Sequence, residues 1–246
     1  MAASKKRRRP GPKKTLKLSI LPQPDDSTCG PTCLHAVYDF HGLKLPLDQL
    51  IQETPTVDGG GTLGVMLACD ALKRGFKVTI YTYNLVVFDP TWFTPGVDLS
   101  ERLRRRAKEK RSPKLTRAAQ AYEEFLSRGG QLRFDDLKPS LIRRYLARNI
   151  PILTGLSATY LYRCAREHGP TSEFDDVRGD PMGHFVVLGG YDKIQKLVHV
   201  ADPWEPESRG RSRQYWIGID RVMNAILLGI VTYDANLVII EPSHAR

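Results

Sequence analysis

Long apolar runs are missing from this sequence of 246 residues. The longest such run in its C-terminal part, Ala225 to Val231, falls far short of the roughly 20 residues that cross a bilayer. The N-terminus is positively charged, but no apolar stretch of about 7 to 15 residues follows it to form a secretory signal. No membrane span is predicted, export by the usual route is not expected, and the predicted location is cytoplasmic.

Cysteine is also scarce, and the four that are present have irregular spacing: Cys29, Cys33, Cys69 and Cys164. A disulfide framework is typical of short secreted domains, so it is not indicated in a chain of this size. Free thiols suit a reducing compartment, where one of them could act as a nucleophile.

Aromatic residues are absent from the basic clusters that dominate the formal net charge of +10. These clusters, Lys5 to Lys17 and Arg102 to Arg117, could contact phosphates or anionic lipid. Without interleaved aromatic rings for base stacking, we favour a solvated tail and a solvated helix face over binding to nucleic acid or an anionic surface. Residues 1–15 are predicted to be a disordered basic tail.

The rest of the chain, residues 16–246, is predicted to form one domain in which helices come first and strands later. Apolar periodicity and stop signals predict helices over Thr28–His41, Pro46–Gln52, Thr62–Lys73, Leu99–Lys110, Leu115–Ser127, Leu137–Arg148 and Asp220–Leu228. A strand is predicted at Lys77–Tyr83, and several more follow from Pro151 onward. This order favours an α+β fold with a mostly antiparallel sheet. Residues of about 84–130 are interpreted as a helical insertion that forms a lid beside the active cleft.

The segment QPDDSTCGPTC places Cys29 at the start of the first predicted helix. Unpaired backbone N–H groups and the helix dipole stabilise a thiolate at such a position, which favours a nucleophile. Gln23 lies six residues earlier on the entering loop. Its side-chain amide could form an oxyanion hole with the Cys29 backbone N–H. Taken alone, Gln23 would be an ordinary loop residue and Cys29 a buried small side chain.

A histidine and an aspartate on two neighbouring predicted strands change that balance. His184 begins the apolar run HFVVL, and Asp202 follows the run LVHVA. If the two strands pair through a turn at Asp192–Lys196, His184 and Asp202 lie nearly opposite each other. Asp202 could then orient the imidazole while the other ring nitrogen serves Cys29 as a base.

The set of Gln23, Cys29-Gly30-Pro31-Thr32-Cys33, Gly183-His184-Phe185-Val186-Val187 and Asp202-Pro203 resembles the cysteine peptidases that trim double-glycine leader peptides from bacteriocin precursors. More specifically, the sequence resembles the stand-alone relatives of those enzymes. The resemblance implies a papain-like fold, with the cysteine at a helix N-terminus in a helical N-terminal part and the histidine and aspartate on a C-terminal antiparallel sheet. It also implies a peptide or protein substrate.

The leading hypothesis is therefore a cysteine peptidase that hydrolyses a peptide or related amide bond through a thioester. Two alternatives stay open: an acyl or peptidyl transferase or ligase with the same triad, and a binding protein that keeps the fold without turnover. Cys29, Cys33, His184 and Asp202 have zinc-ligand types, but Cys-x3-Cys at a helix start lacks the usual CxxC knuckle. No metal and no cofactor are predicted.

Overall fold

The computed structural model describes residues 11–57, 60–169, 172–204 and 212–243. Its helices are α1 Cys29–Phe40, α2 Leu47–Glu53, α3 Gly64–Lys73, α4 Leu99–Lys110, α5 Pro113–Ser127, α6 Pro139–Ala147, α7 Ala158–Tyr162 and α8 Ile219–Leu228. Its strands are β1 Lys13–Thr15, β2 Phe76–Thr82, β3 Gln131–Arg133, β4 Ile152–Ser157, β5 Glu167–His168, β6 Glu173–Phe174, β7 Gly183–Asp192, β8 Leu197–Ala201, β9 Gln214–Gly218 and β10 Asn236–Pro242.

One large sheet organises the molecule, with strand order β3-β2-β10-β4-β7-β8-β9 and β1 beside β7. The pairing is antiparallel throughout this sheet except between β2 and β3, which run parallel. β5 and β6 form a separate two-stranded ribbon. The predicted α+β class is confirmed, and each of the seven predicted helices is present with its ends shifted by a few residues at most.

Helix α1 packs on β7, so the segment that carries Cys29 lies against the strand that carries His184. The Cys33 thiol, which is fully buried, donates a hydrogen bond to the Phe185 carbonyl oxygen at 3.2 Å. Leu34 and Val37 are also fully buried, in agreement with the apolar periodicity of this segment. The fold therefore brings two distant parts of the chain together at the start of α1.

The predicted disordered tail, residues 1–15, is too long at its C-terminal end. Residues 1–10 lie outside the described residues, but Lys13–Thr15 forms β1 and pairs with residues 190–192 of β7. Strand β4 pairs with β7 only as far as Leu188, so the backbone groups beyond it have no partner on that side. The tail segment supplies those partners through its own backbone, which needs no apolar side chains.

The predicted insertion contains the two expected helices, α4 and α5. Helix α5 is part of the core, because Leu115, Tyr122 and Phe125 are almost fully buried, and it packs on α3. Near its N-terminal end, Lys114 reaches the cleft that contains Cys29. Helix α5 thus contributes to a wall of that cleft, and opening of the insertion as a lid stays a prediction.

None of the helices in the described ranges has the length and apolar character that crossing a bilayer requires.

Candidate active site

Cys29 is the first residue of α1, and the preceding loop leaves the helix start without a side-chain cap. Thr28 has the cap position, but its hydroxyl donates to the Asp25 carbonyl oxygen at 3.0 Å. The Asp25 carboxylate in turn accepts hydrogen bonds from the backbone N–H and the hydroxyl of Ser27, at 2.8 and 2.7 Å. Because the polar side chains of this loop form hydrogen bonds within the loop, they do not cap the helix. The first N–H groups of α1 therefore remain available to a thiolate or an oxyanion.

His184 lies on β7 between Cys29 and Asp202. Its Nε2–H donates to Asp202 Oδ1 at 2.8 Å, and both side chains are only 4% exposed. Cys29 lies close enough to the same imidazole to raise its pKa. With Nε2 bonded to the carboxylate, Nδ1 is the ring nitrogen left for the thiol. The structure therefore brings together the three residues that were predicted as nucleophile, base and orienting acid.

The predicted strand register was wrong in detail. The turn lies later than expected, with Asp192 opposite Leu197, and a bulge shifts the register between Leu188 and Gly190. Val187 is opposite Ala201, so the continued register sets Asp202 beside Val186 and diagonal to His184. Diagonal neighbours on one face of a sheet are within reach of long side chains. The two side chains meet even though their backbones are not directly opposite.

Asp202 accepts three further hydrogen bonds that the sequence did not predict. The hydroxyl groups of Tyr162 and Tyr215 donate to its Oδ2 at 2.5 and 2.8 Å. The Trp204 backbone N–H donates to its Oδ1 at 3.0 Å. Only the short spacing from Asp202 to Trp204 could have suggested one of these donors, because the two tyrosines are distant in the sequence and carry no motif.

Burial is the largest influence on the pKa of His184 and would lower it. The charge and hydrogen bond of Asp202, with smaller contributions from Cys29, outweigh burial and raise the pKa of His184 to about 10. Burial likewise acts to raise the pKa of Asp202, yet His184 and the tyrosine hydroxyls keep it below its ordinary value. The site therefore favours a charged imidazolium beside a carboxylate, which can stabilise a thiolate on Cys29.

Gln23 is held close to the site by local hydrogen bonds. Its backbone N–H donates to the Pro203 carbonyl oxygen at 2.9 Å, which ties the loop to the residue after Asp202. Its side-chain Nε2 donates to the Asp25 carbonyl oxygen at 2.9 Å, and its buried Oε1 has no partner among the described residues. The amide nitrogen has a second N–H to offer, so its oxyanion role stays a prediction.

A cleft with a volume of about 380 Å³ opens beside Cys29 and His184. Its walls come from both halves of the chain and include Thr62, Lys114 and Asp234. Sequence reasoning singled out neither Lys114 nor Asp234. Across the ranges that the structure describes, no three or more His, Cys, Asp or Glu side chains are grouped to hold a metal ion.

Comparison with known proteins points to the same family as the motif resemblance. Residues 107–223 match the model of the Peptidase_C39 like family. The resemblance to these peptidases is confirmed. The match includes His184 and Asp202, whereas Cys29 precedes it, so the geometry of the site is what links the cysteine to this region. No curated protein sequence matches the chain.

One solved structure shows the same fold at low sequence identity. A structure described as a C39-like peptidase from Bacillus anthracis has a TM-score of 0.51 and 15% identity, and the alignment covers 95% of this chain and 99% of that one. Xylellain, a cysteine protease from Xylella fastidiosa, aligns with a TM-score of 0.46 and 17% identity over 96% of this chain and 88% of its own. A double-glycine motif protease from an AMS/PCAT transporter aligns with a TM-score of 0.43 and 14% identity over 94% and 95%. The chain has the papain-like α+β fold of C39-like cysteine peptidases.

Proposed function

We propose that this protein is a cysteine peptidase that hydrolyses a peptide or related amide bond. Cys29 is the nucleophile, and His184 is the general base and acid. Asp202 orients His184 and stabilises its protonated form. The observation that carries the proposal is the buried His184, which is bonded to Asp202 on one side and neighbours Cys29 on the other. The family match and the fold support the same general class.

The reaction follows from this arrangement. The Cys29 sulfur attacks the carbonyl carbon, and the tetrahedral intermediate collapses as His184 donates its proton to the leaving nitrogen. The released amine leaves an acyl group on Cys29 as a thioester. His184 then removes a proton from water, which attacks the thioester and frees the carboxylic acid, and the proton returns to the Cys29–His184 pair.

The oxyanion of the tetrahedral intermediate needs donors at the start of α1. We assign this role to the Cys29 backbone N–H and to the second amide N–H of Gln23. Uncapped N–H groups at the start of α1 support the first assignment. The tether between Gln23 and Pro203 supports the second, because it holds the loop near Asp202.

Selective labelling tests the proposal. If solvent exposure decided which cysteine reacts first, it would be a different cysteine from the one that activation by His184 predicts. Cys164 is the most exposed of the four thiols, whereas Cys29 is only 9% exposed. Burial raises the pKa of Cys33 and of Cys69, so neither should compete. We expect iodoacetamide at pH 7 to modify Cys29 first, as mapped by mass spectrometry, because thiolate content decides the rate.

In the matched variant His184→Ala, iodoacetamide should label Cys164 before Cys29. Labelling in order of exposure in the unmodified protein would contradict activation and favour a binding protein that keeps the fold. A pool of peptides incubated with the enzyme then separates the remaining alternatives by mass. A product whose mass corresponds to the addition of water across the bond indicates hydrolysis. A product whose acyl fragment carries an added amine indicates acyl transfer.

A further inference from the structure

The cleft beside Cys29 carries a buried acidic side chain that the proposed chemistry does not use. Asp234 lines this cleft and is only 5% exposed. Its Oδ1 atom has no hydrogen-bond partner among the described residues. Buried carboxylate oxygens in folded proteins almost always accept a hydrogen bond. Oδ1 itself is covered by protein, so a substrate that enters the cleft would reach this carboxyl group through its other oxygen.

The backbone around Asp234 is shaped to seat its carboxyl group. Gly155 in β4 provides the space, because a Cβ atom there would lie 2.6 Å from Asp234 Cβ and 2.9 Å from Oδ1. The Gly64 backbone N–H at the start of α3 and the Thr232 hydroxyl lie close enough to the carboxyl group to oppose the rise in its pKa. Neither forms a hydrogen bond with it in the described residues, so the carboxyl group still lacks a donor.

Three carboxylates line the cleft, although the whole chain has a formal charge of +10. Asp26, Glu167 and Asp234 lie there beside two cations, Lys114 and protonated His184, among the described residues that line it. The Lys114 ammonium lies 4.6 Å from the centroid of the Tyr233 ring, whose face attracts the cation. Burial raises the pKa of Asp234 to about 7 although Lys114 acts against this effect. A further cation beside the carboxyl would stabilise its ionised form.

We propose that Asp234 forms the floor of a substrate subsite that binds a protonated primary amine close to the scissile bond. The ammonium group donates to the Asp234 carboxylate. It belongs either to a lysine side chain of the substrate or to its free α-amino terminus, because both present the same donor. This inference rests on the proposed peptidase function, since it assigns a specificity to the same cleft.

Peptide vinyl sulfones that alkylate Cys29 provide the test in the full-length protein. The neutral probe is acetylated and contains norleucine, the second carries lysine in place of norleucine, and the third has a free amino terminus. Lysine is moved in turn through the three residues before the electrophile. The rate with each probe, followed by intact mass, is divided by the rate at which iodoacetamide labels Cys29 in the same variant. This ratio removes differences in thiol reactivity.

We expect one of the two amine probes to exceed the neutral probe by about tenfold or more, because a charge pair in a partly buried site has a large effect. The probe that does so identifies the source of the amine. Asp234→Asn should reduce the preference to less than about twofold, since the amide keeps the shape and loses the charge. Equal rates for all probes in the unmodified protein, or a preference that survives Asp234→Asn, would overturn the subsite.

A second variant covers the case in which Asp234→Asn does not fold. Lys114→Met removes the competing cation from an exposed position on α5 and should increase the amine preference, whereas an unchanged or smaller preference would overturn the inference. Lys108→Met, at an exposed position on α4, is the matched control and should leave the preference as it is. If iodoacetamide labels Cys164 before Cys29, the proposed function itself fails, which is a different result from activated Cys29 without amine preference.

Discussion

Asp202 and Asp234 are almost equally buried, at 3% and 5% exposure, yet their surroundings act on them in opposite directions. Asp202 accepts four hydrogen bonds, and its pKa is lowered because His184 and two tyrosine hydroxyls outweigh burial. Oδ1 of Asp234 has no hydrogen-bond partner in the described part of the chain, and burial raises the pKa of this carboxyl to about 7. The ionisation of a buried carboxyl therefore depends on the donors supplied to it and not on burial alone.

The largest expected effect comes from removing the charged partner that distinguishes Asp202 from Asp234. His184→Ala takes away the base, and Cys29→Ala takes away the nucleophile. Each should lower turnover by about 10⁴ or more, because residues that act as a unit fail together. Peptide cleavage assays on both variants and on the double variant check this, and the double variant should be no worse than either single one. Substantial activity in Cys29→Ala would end the catalytic assignment.

A smaller loss is expected at the loop beside Asp202. Gln23→Ala should lower kcat by about 10² to 10³ with little change in KM, the usual result of deleting one oxyanion donor. Gln23→Glu is the matched control, since it keeps the size of the side chain and replaces the amide donor by acceptors, so its loss should be similar. Full activity in Gln23→Glu would show that the amide N–H does not contact the oxyanion.

The two aspartates should respond oppositely to the same change to asparagine. In Asp202→Asn, the new amide nitrogen meets groups that already donate, so we expect unfolding free energy near pH 7 to fall by about 1–3 kcal/mol. Asp234→Asn removes a charge that is costly to bury and should raise the unfolding free energy at pH 8 by about 1 kcal/mol or more.

The pH dependence gives the sign of each contribution. The pKa of Asp202 is lowered on folding, so its stabilisation is present above the ordinary value of 3.8 and is lost as the pH falls through the folded pKa. The pKa of Asp234 is raised from 3.8 to about 7, so the cost of its ionisation is absent below 3.8 and complete above about 7. Urea unfolding of both variants at pH 4, 6 and 8 measures this. A gain from Asp234→Asn that is equal at all three values would contradict it.

The smallest expected effects come from the two tyrosines on Asp202. Tyr162→Phe and Tyr215→Phe should each cost about 0.5–1.5 kcal/mol of stability, because the second hydroxyl still supports Oδ2. Removing both makes Asp202 more like Asp234, so the double variant should lose more than the sum of the two single losses. Tyr160→Phe, at a 40% exposed position, is the control and should change stability little. Strict additivity would show that the hydroxyls act independently.

Local sequence determined much of the secondary structure and the identity of the triad candidates. The apolar spacing in Cys33, Leu34 and Val37 predicted α1, because a 3.6-residue period places those side chains on one face. The apolar run after His184 predicted β7 for a comparable reason. These signals depend only on near neighbours in the chain, so they can be read without a structure.

Tertiary structure alone decided how these elements meet. The bulge after Leu188 made His184 and Asp202 diagonal, and long-range packing delivered Tyr162 and Tyr215 to the same carboxylate. Packing also buried Asp234 beside the cleft, where its Oδ1 accepts no hydrogen bond from the residues that the structure describes. Hydrogen bonds and desolvation depend on which groups are adjacent in space, and that adjacency leaves no periodic trace in the sequence.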